Sequence, residues 1–336
     1  MSAVYVFGAG ASIHANYPLA PKMGQGLLEF MLKSENNDFQ VSAEQLIEMF
    51  GNTPNIEDLI SEIEARIDEL KSRKTDEELV KWVILISGRS NILRALREWF
   101  RVLHCSPADL YENFSQKIAN AGDTVITFNY DDSVDRELRR AGKWELSTGY
   151  GFPFGNAAIP SAVQLLKVHG SSNWIVSLGG GLRSGFTFVG PSGFMGGRPV
   201  IHTVDAEYLG YTNFSGNTYP GGGTELSMIL PGRTKKFYFE TSLGIEFKEF
   251  WDGLWSQSAH ALKRADKVVI CGYSMPKADV RARELLLKHT NKKATMTVVS
   301  GADSERIAIE FQDAGYKDIK LIGQGYFEDW IEQEKT

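Results

Sequence analysis

The chain has 336 residues, of which 43% are hydrophobic and 23% are charged, so it is long enough to bury a large core as one domain or as two. Its net charge of −6 and its basic residues, which cluster only in pairs such as Arg139–Arg140, argue against direct binding to nucleic acid. Its two cysteines, Cys105 and Cys271, are too few for a four-thiolate zinc site.

No segment predicts export or a membrane anchor. The first residues, MSAVYVFGAGAS, have neither the basic region nor the long apolar region of a signal peptide. No apolar run approaches the ~20 residues that are needed to span a bilayer. We therefore expect a cytoplasmic protein that does not contact a membrane.

Six short apolar runs predict the strands of a sheet. Because most of these runs are apolar throughout and do not alternate with polar residues, they are typical of parallel strands that are covered on both faces. Helical patterns lie between several of them. The sequence thus predicts a single domain over residues 1–336, with an α/β fold and a doubly wound, mostly parallel, Rossmann-like sheet. The runs are residues 3–8, 124–128, 163–169, 267–272, 294–300 and 319–323.

A helical insertion is predicted between the first two strands, over residues 24–118, which are too many for one crossover helix. Isoleucines and leucines between positions 56 and 70 recur at helical spacing and form one apolar face. Thr53 and Pro54 are a plausible cap and first-turn proline for this helix. A break at Gly88 then separates it from a second helical pattern over residues 91–103.

A second insertion, residues 149–232, contains 18 of the 33 glycines of the chain. Such a composition is typical of turns and short hairpins. We expect this segment to form a mobile cover over a site.

A glycine-rich loop follows the first predicted strand and contains Gly8, Ala9, Gly10 and Ser12. Glycines at this point allow backbone N–H groups to approach a phosphate at a helix N-terminus, although a G-x-G turn also occurs wherever a strand must reverse tightly. A dehydrogenase would add a second strand and an acidic residue about 20 residues later. Residues 26–33 instead predict a helix with no strand after it, which argues against hydride transfer.

Polar residues follow the next two predicted strands. Asn129 and Asp131 come after the second strand, where they could contact a ligand or simply cap the following helix. His169 ends the third strand, where it could be a buried structural histidine or a general base that works near neutral pH. Because the carboxyl ends of parallel strands line one crevice, we expect these residues to converge with the glycine loop. This convergence favours a catalytic His169.

The last strands repeat the pattern. Gly272 and Ser274 follow the fourth strand and are suited to a phosphate or a ribose, and Ser300 ends the fifth. Asp279 is a plausible cap for the helix that begins near Val280.

Taken in order, Gly8–Ser12, Asn129–Asp131, His169–Ser171 and Gly272–Ser274 resemble the motifs of the sirtuin superfamily, and in particular the sirtuin-like domains of bacterial antiphage defence. The resemblance is collinear over roughly residues 4–303. It implies that NAD is bound, without zinc, and that no other metal takes part.

The resemblance also implies roles for the site residues. Gly8, Ala9, Gly10 and Ser12 would cradle the NAD phosphates. Asn129 would contact the nicotinamide ribose and position a water, Asp131 would face the nicotinamide carboxamide, and His169 would be the catalytic base. The adenosine half would be held by Gly272, Ser274 and Ser300.

The chain differs from the protein-deacylating sirtuins in three places. It has no cysteine after His169 that could build their four-cysteine zinc module before Cys271, and YPLAPK stands where they carry Pro-Asp-Phe-Arg. Phe128 replaces the glutamine that usually precedes their asparagine. These differences put the binding of an acyl-lysine peptide in doubt.

The resemblance therefore predicts an NAD+ hydrolase that acts in antiphage defence and is gated by self-assembly or by a separate activating protein. Two alternatives stay open. The first is a zinc-independent NAD-dependent deacylase or ADP-ribosyltransferase, and the second is a non-catalytic module that binds NAD or ADP-ribose.

Overall fold

The computed structural model describes residues 2–52, 55–72, 75–103, 109–145, 150, 162–177, 181–183, 186–188, 200–203, 224–228, 232, 248–322 and 325–334. The strands are β1 (Ala3–Phe7), β2 (Thr124–Thr127), β3 (Gln164–Lys167), β4 (Gly170–Ser177), β5 (Gly181–Arg183), β6 (Phe186–Phe188), β7 (Val200–Thr203), β8 (Thr224–Met228), β9 (Lys267–Cys271), β10 (Thr295–Val299) and β11 (Ile319–Leu321). The α-helices are α1 (Ala20–Lys33), α2 (Asn37–Phe50), α3 (Ile56–Glu69), α4 (Asp76–Leu103), α5 (Asp109–Asn113), α6 (Ser133–Arg140), α7 (Lys248–Arg264), α8 (Val280–His289), α9 (Ser304–Asp313) and α10 (Phe327–Glu334). Within these ranges, no helix combines the length and the apolar character that crossing a membrane requires.

A six-stranded parallel sheet confirms the predicted fold class. Its strand order is β11-β10-β9-β1-β2-β3, and all six apolar runs identified in the sequence form its strands. Every residue of β1 and β2 is buried, as expected of strands that are covered on both faces. The architecture is α/β and Rossmann-like.

The strand order reverses direction at β1. From β1 the chain adds β2 and β3 on one side, and later adds β9, β10 and β11 on the other side. In open parallel sheets, ligands bind in the crevice outside the carboxyl ends of the strands at such a switch point. Gly8 directly follows β1, and Gly272 directly follows β9, so both loops lie at this crevice.

The chain forms two compact units. The first consists of Met1–Tyr17, His104–Ser171 and Leu243–Thr336 and holds the parallel sheet. The second consists of Pro18–Leu103 and Ser172–Ser242. It holds α1–α4, the three-stranded sheet β7-β4-β8 apart from the first two residues of β4, and the antiparallel pair β5–β6. The β4–β7 pair is also antiparallel.

The domain boundaries drawn from the sequence stay predictions. Of the proposed helical insertion 24–118, the part up to Leu103 belongs to the second unit, whereas α5 and the π-helical turn Phe114–Ile118 belong to the first. The proposed cover, residues 149–232, lies largely outside the described residues.

Two local predictions in the second unit are wrong. The cap of α3 is Asn55, whose side chain accepts a hydrogen bond from the N–H of Glu57, and not Thr53. Helix α4 also runs through Gly88 without a break. A Cβ at Gly88 would lie 3.2 Å from Leu46 of α2, so this glycine allows two helices to pack closely and does not end one.

Candidate functional site

The glycine loop and the loop after β9 cross at the switch point through their backbones. The N–H of Gly10 donates to the carbonyl of Gly272 over 2.8 Å, and the N–H of Gly8 donates to the carbonyl of Cys271 over 3.0 Å. A Cβ on Gly8 would lie 2.6 Å from the Cα of Tyr273. Position 8 must therefore be glycine, because the two loops approach so closely that any side chain there would clash with Tyr273.

The same crossing explains the other two glycines. A Cβ on Gly10 would lie 2.8 Å from the Cα of Gly272. Gly272 has φ +62°, and a Cβ there would lie 2.1 Å from the backbone nitrogen of Ala11. Ala9 and Gly10 are half-exposed, so they are the part of the loop that a ligand can approach. Phosphate binding by this loop stays a prediction.

Asn129 is the second residue after β2, and its side chain contacts the glycine loop. Its Nδ2 donates to the carbonyl of Gly8 over 2.9 Å and to the hydroxyl of Ser12 over 3.0 Å. The side chain is buried, with 7% of the residue exposed. Since both amide hydrogens are used inside the protein, the amide oxygen is the polar atom that Asn129 can offer to a ligand. Asn129 is therefore not a helix cap.

Ser12 joins this asparagine to Asp131. The Ser12 hydroxyl donates to Asp131 Oδ2 over 2.8 Å and accepts a hydrogen bond from the Tyr111 hydroxyl over 2.9 Å. Burial raises the pKa of Tyr111 well above its ordinary value of 10.0, which keeps this hydroxyl a donor. Asp131 Oδ1 accepts from the N–H of Ser133, the first residue of α6. Both carboxylate oxygens of Asp131 thus bind groups of the protein, and its contact with a carboxamide stays a prediction.

A buried ion pair supports this turn, and the sequence analysis did not identify it. Lys167, at the end of β3, is 0% exposed; it donates to the carbonyl of Asp131 over 2.6 Å and to both carboxylate oxygens of Asp135 over 3.0 and 3.1 Å. The Tyr150 hydroxyl donates to Asp135 over 2.7 Å. Burial raises the pKa of Asp135, and the charge of Lys167 opposes that rise. The available signal was a lysine inside an otherwise apolar strand, which needs a buried partner.

His169 lies two residues beyond the end of β3 and is 3% exposed. Its ring contacts Phe128 edge to face, with centroids 5.0 Å apart, and lies 6.1 Å from the ring of Trp255. Its Nε2 is 3.7 Å from Oδ2 of Asp279. An imidazole and a carboxylate that face each other in a buried setting are suited to proton transfer.

Asp279 is the residue whose predicted role changes most. It is the cap residue of α8, but its side chain makes no capping hydrogen bond. Instead, Oδ2 accepts a hydrogen bond from the Tyr273 hydroxyl over 2.8 Å, and the Tyr273 ring stacks on Phe128 with centroids 4.2 Å apart. The prediction that Asp279 caps α8 by its side chain is therefore wrong.

The two predicted serines lie at the ends of β9 and β10. The Ser300 hydroxyl donates to the carbonyl of Tyr273 over 3.2 Å, which ties these two strand ends together. Ser274 is exposed, and its carbonyl accepts a hydrogen bond from Arg306. Every residue proposed for the site thus lies at the carboxyl edge of the sheet in the first unit.

Among the described residues of this unit, neither a thiolate nor a metal centre stands out. Cys271 is fully buried, and burial raises the pKa of its thiol well above 9.0, which favours the protonated thiol. In the part of the chain that the structure describes, no three His, Cys, Asp or Glu side chains are grouped so that they could hold a metal ion.

The fold and the site together define a Rossmann-like α/β protein with a polar site at its topological switch point. No protein-family model and no curated protein matches the chain. Among solved structures, a Sir2 homologue–NAD complex matches with a TM-score of 0.44 and 11% identity over 99% of this chain and 88% of the other. A Sir2 homologue mutant in complex with ADP-ribose matches with a TM-score of 0.41 and 10% identity, over 99% and 90% of the two chains.

A structure that concerns sirtuin substrate affinity matches with a TM-score of 0.42 and 12% identity, over 99% of this chain and 91% of the other. The fold class of the present chain is established by its own sheet order.

Proposed function

We propose that the protein is an NAD+ hydrolase that cleaves NAD+ to nicotinamide and ADP-ribose. The observation that carries the proposal is that Asn129 and His169 follow the neighbouring strands β2 and β3, at the same edge of the sheet and beside the switch point at β1. The motif resemblance supports the same activity.

The site suits a dinucleotide that lies across the switch point. Asn129 and His169 lie on the β2–β3 side, which we assign to the nicotinamide ribose, and Ser274 and Ser300 lie on the β9–β10 side, which we assign to adenosine. The half-exposed part of the glycine loop lies between them, next to β1, where the pyrophosphate would pass. Gly8 and Gly272 contribute by allowing the glycine loop and the loop after β9 to approach each other closely.

The proposed reaction needs no acid to protonate the leaving group. The bond between ribose C1′ and the pyridinium nitrogen breaks, and its electron pair neutralises that nitrogen as nicotinamide leaves. A water bonds to C1′, and its proton passes to His169. The amide oxygen of Asn129 would orient this water, because the amide hydrogens already hold the glycine loop.

The biological setting is the finer part of the proposal. Unregulated hydrolysis would deplete the cell of NAD+, so the activity must be controlled. We propose that the protein is a cytoplasmic effector of antiphage defence that is activated by self-assembly or by a separate activating protein. The support for this role is the resemblance of the motifs at the sheet edge to those of antiphage sirtuin-like domains. A change of assembly state that accompanies the onset of NAD+ consumption would support the gating.

The test is NAD+ consumption by the purified protein, with nicotinamide and ADP-ribose quantified. We expect His169→Ala and Asn129→Ala each to reduce turnover by about a hundredfold or more. His260→Ala is the matched control, since His260 is exposed on α7, and it should retain full activity. Turnover that survives both site substitutions would contradict the proposal.

The same experiment separates the alternatives. An O-acyl-ADP-ribose product, or ADP-ribose attached to protein, would identify a deacylase or a transferase. Tight NAD binding without turnover would favour a binding module. Because a gated enzyme can be silent when purified, NAD levels are also compared in a bacterial host that expresses the wild type or His169→Ala.

A further inference from the structure

A buried carboxylate faces the imidazole of His169. Oδ2 of Asp279 lies 3.7 Å from His169 Nε2, and only 4% and 2% of the two side chains, respectively, are exposed to solvent. The same oxygen accepts a hydrogen bond from the Tyr273 hydroxyl over 2.8 Å. One carboxylate oxygen therefore lies between a phenol and an imidazole.

This arrangement determines which ring nitrogen carries hydrogen. Tyr273 has a single hydroxyl hydrogen, and it is donated to Asp279 Oδ2. If Nε2 carried a lone pair, it would face that carboxylate oxygen as a second acceptor and the two would repel each other. The carboxylate therefore favours a His169 ring that carries a hydrogen on Nε2.

The aromatic surroundings keep these groups in register. Phe128 contacts the His169 ring edge to face and stacks on Tyr273, with centroid distances of 5.0 and 4.2 Å. Trp255 lies 6.1 Å from the His169 ring. Apolar walls of this kind lower the local dielectric constant, so the charge of Asp279 acts strongly on the imidazole although no short hydrogen bond joins them.

Other titratable or charged groups near His169 come from three elements. Tyr130, after β2, has its ring 6.4 Å from the imidazole. Arg281, in α8, lies over the Trp255 ring at 4.7 Å and forms an ion pair with Asp252 of α7 over 2.7 Å. Asp279 is an acidic group that the structure places 3.7 Å from an imidazole nitrogen of His169.

We propose that Asp279, held by Tyr273, is a positioning residue that orients the His169 imidazole with a hydrogen on Nε2 and favours its uptake of a proton. This inference rests on the proposed function for the role of that proton, whereas the pairing itself can be measured without turnover. It also assigns Tyr273 a role, which is to hold the carboxylate in place.

The test is an NMR titration of ¹⁵N-imidazole groups in the full chain, with the His169 signals identified by their loss in His169→Ala. Asp279→Asn keeps an oxygen for Tyr273 but removes the charge, so the pKa of His169 should fall by about 1 to 3 units. Asp303→Asn is the matched control, because Asp303 is likewise a cap residue without a capping side-chain bond, at the start of α9. It should leave the titration of His169 unchanged.

Tyr273→Phe gives the opposite shift and guards against a variant that merely loosens the fold. Without the phenol, the charge of Asp279 is less neutralised, so the pKa of His169 should rise. General loosening would move both variants in the same direction. In the wild type, the neutral ring should show its hydrogen on Nε2. An unchanged pKa in Asp279→Asn, or a neutral ring with its hydrogen on Nδ1, would overturn the inference.

Kinetics separate this inference from the proposed function. The acidic limb of the pH profile of kcat/KM should move to lower pH in Asp279→Asn by the same amount as the titration, with the KM for NAD unchanged. A shifted titration in a protein that never consumes NAD would refute the function and keep the pairing. Normal NAD hydrolysis without any shift would keep the function and refute the pairing.

Discussion

The two sides of the candidate site are held in different ways. Around Asn129, hydrogen bonds of 2.8–3.0 Å link Ser12, Asp131 and Gly8 into a closed network. Around His169, packing of aromatic rings and a carboxylate at 3.7 Å hold the imidazole. The asparagine side is held mainly by hydrogen bonds, whereas the histidine side is held by aromatic packing beside a carboxylate. In the proposed reaction the first side orients a reactant and the second accepts a proton, so the two sides need different kinds of support.

The largest expected effect concerns the buried ion pair of Lys167 and Asp135, which supports the turn at Asp131 on the asparagine side. Asp135→Asn would leave Lys167 fully buried without its counter-charge, so the free energy of unfolding should fall by about 3–5 kcal/mol. Denaturant unfolding measures this loss. The double variant Asp135→Leu with Lys167→Met removes both charges and should recover most of the stability. If the single variant is as stable as the wild type, this pair does not support the turn.

Asn129→Asp tests the closed network directly. A carboxylate cannot donate to the Gly8 carbonyl, and it adds a negative charge beside Asp131. We therefore expect the free energy of unfolding to fall by about 1–3 kcal/mol and NAD turnover to be lost as well. Asn113→Asp, on α5, is the control and should change both little.

His169→Gln is the counterpart of that variant on the other side. It should abolish turnover with a much smaller change in thermal stability, since the Asp279 carboxylate faces the imidazole at 3.7 Å, which is beyond hydrogen-bond distance. Equal stability losses in Asn129→Asp and His169→Gln would refute the contrast between the two sides.

The smallest expected effect is a pH dependence on the asparagine side. Burial lowers the pKa of His14, whose ring lies 5.0 Å from that of Tyr111. The unfolded chain therefore takes up this proton first as the pH falls through 6.5, and stability is lost from there downwards until the lower pKa of the folded state is reached. His14→Phe should flatten the change in thermal stability between about pH 7 and pH 5. An identical slope in the variant would contradict this assignment.

The sequence was sufficient for the sheet, and physical reasons explain where it was not. Strands that are buried on both faces read as short apolar runs, so all six were identified, and with them the edge at which Asn129 and His169 meet. Gly88 was misread as a helix end because the contact that needs it is made with another helix. The local sequence pattern therefore cannot distinguish a glycine that lets two helices pack closely from a glycine that ends a helix.

The supporting residues were missed for a related reason. Asp279 precedes a helix, which is the pattern of a cap, and nothing in that stretch indicates a histidine more than a hundred residues earlier in the chain. The pairing of Lys167 with Asp135 likewise depends on the fold, which brings a residue of α6 to the end of β3. The partner of a buried charge depends on which elements the fold places side by side. The sequence predicts the fold class but not these neighbours.

The crossing of the glycine loop with Gly272 has a consequence for biosynthesis. The central strand β1 is translated well before its neighbour β9, and the loop after β9 that locks it is likewise made only after Arg264. By then Asn129 and His169 have left the ribosome, but the side of their crevice that β9 and its loop form is still missing. For a chain with the proposed activity, a nascent or truncated product that lacks β9 would be harmless, because the site is complete only after β9 has paired with β1.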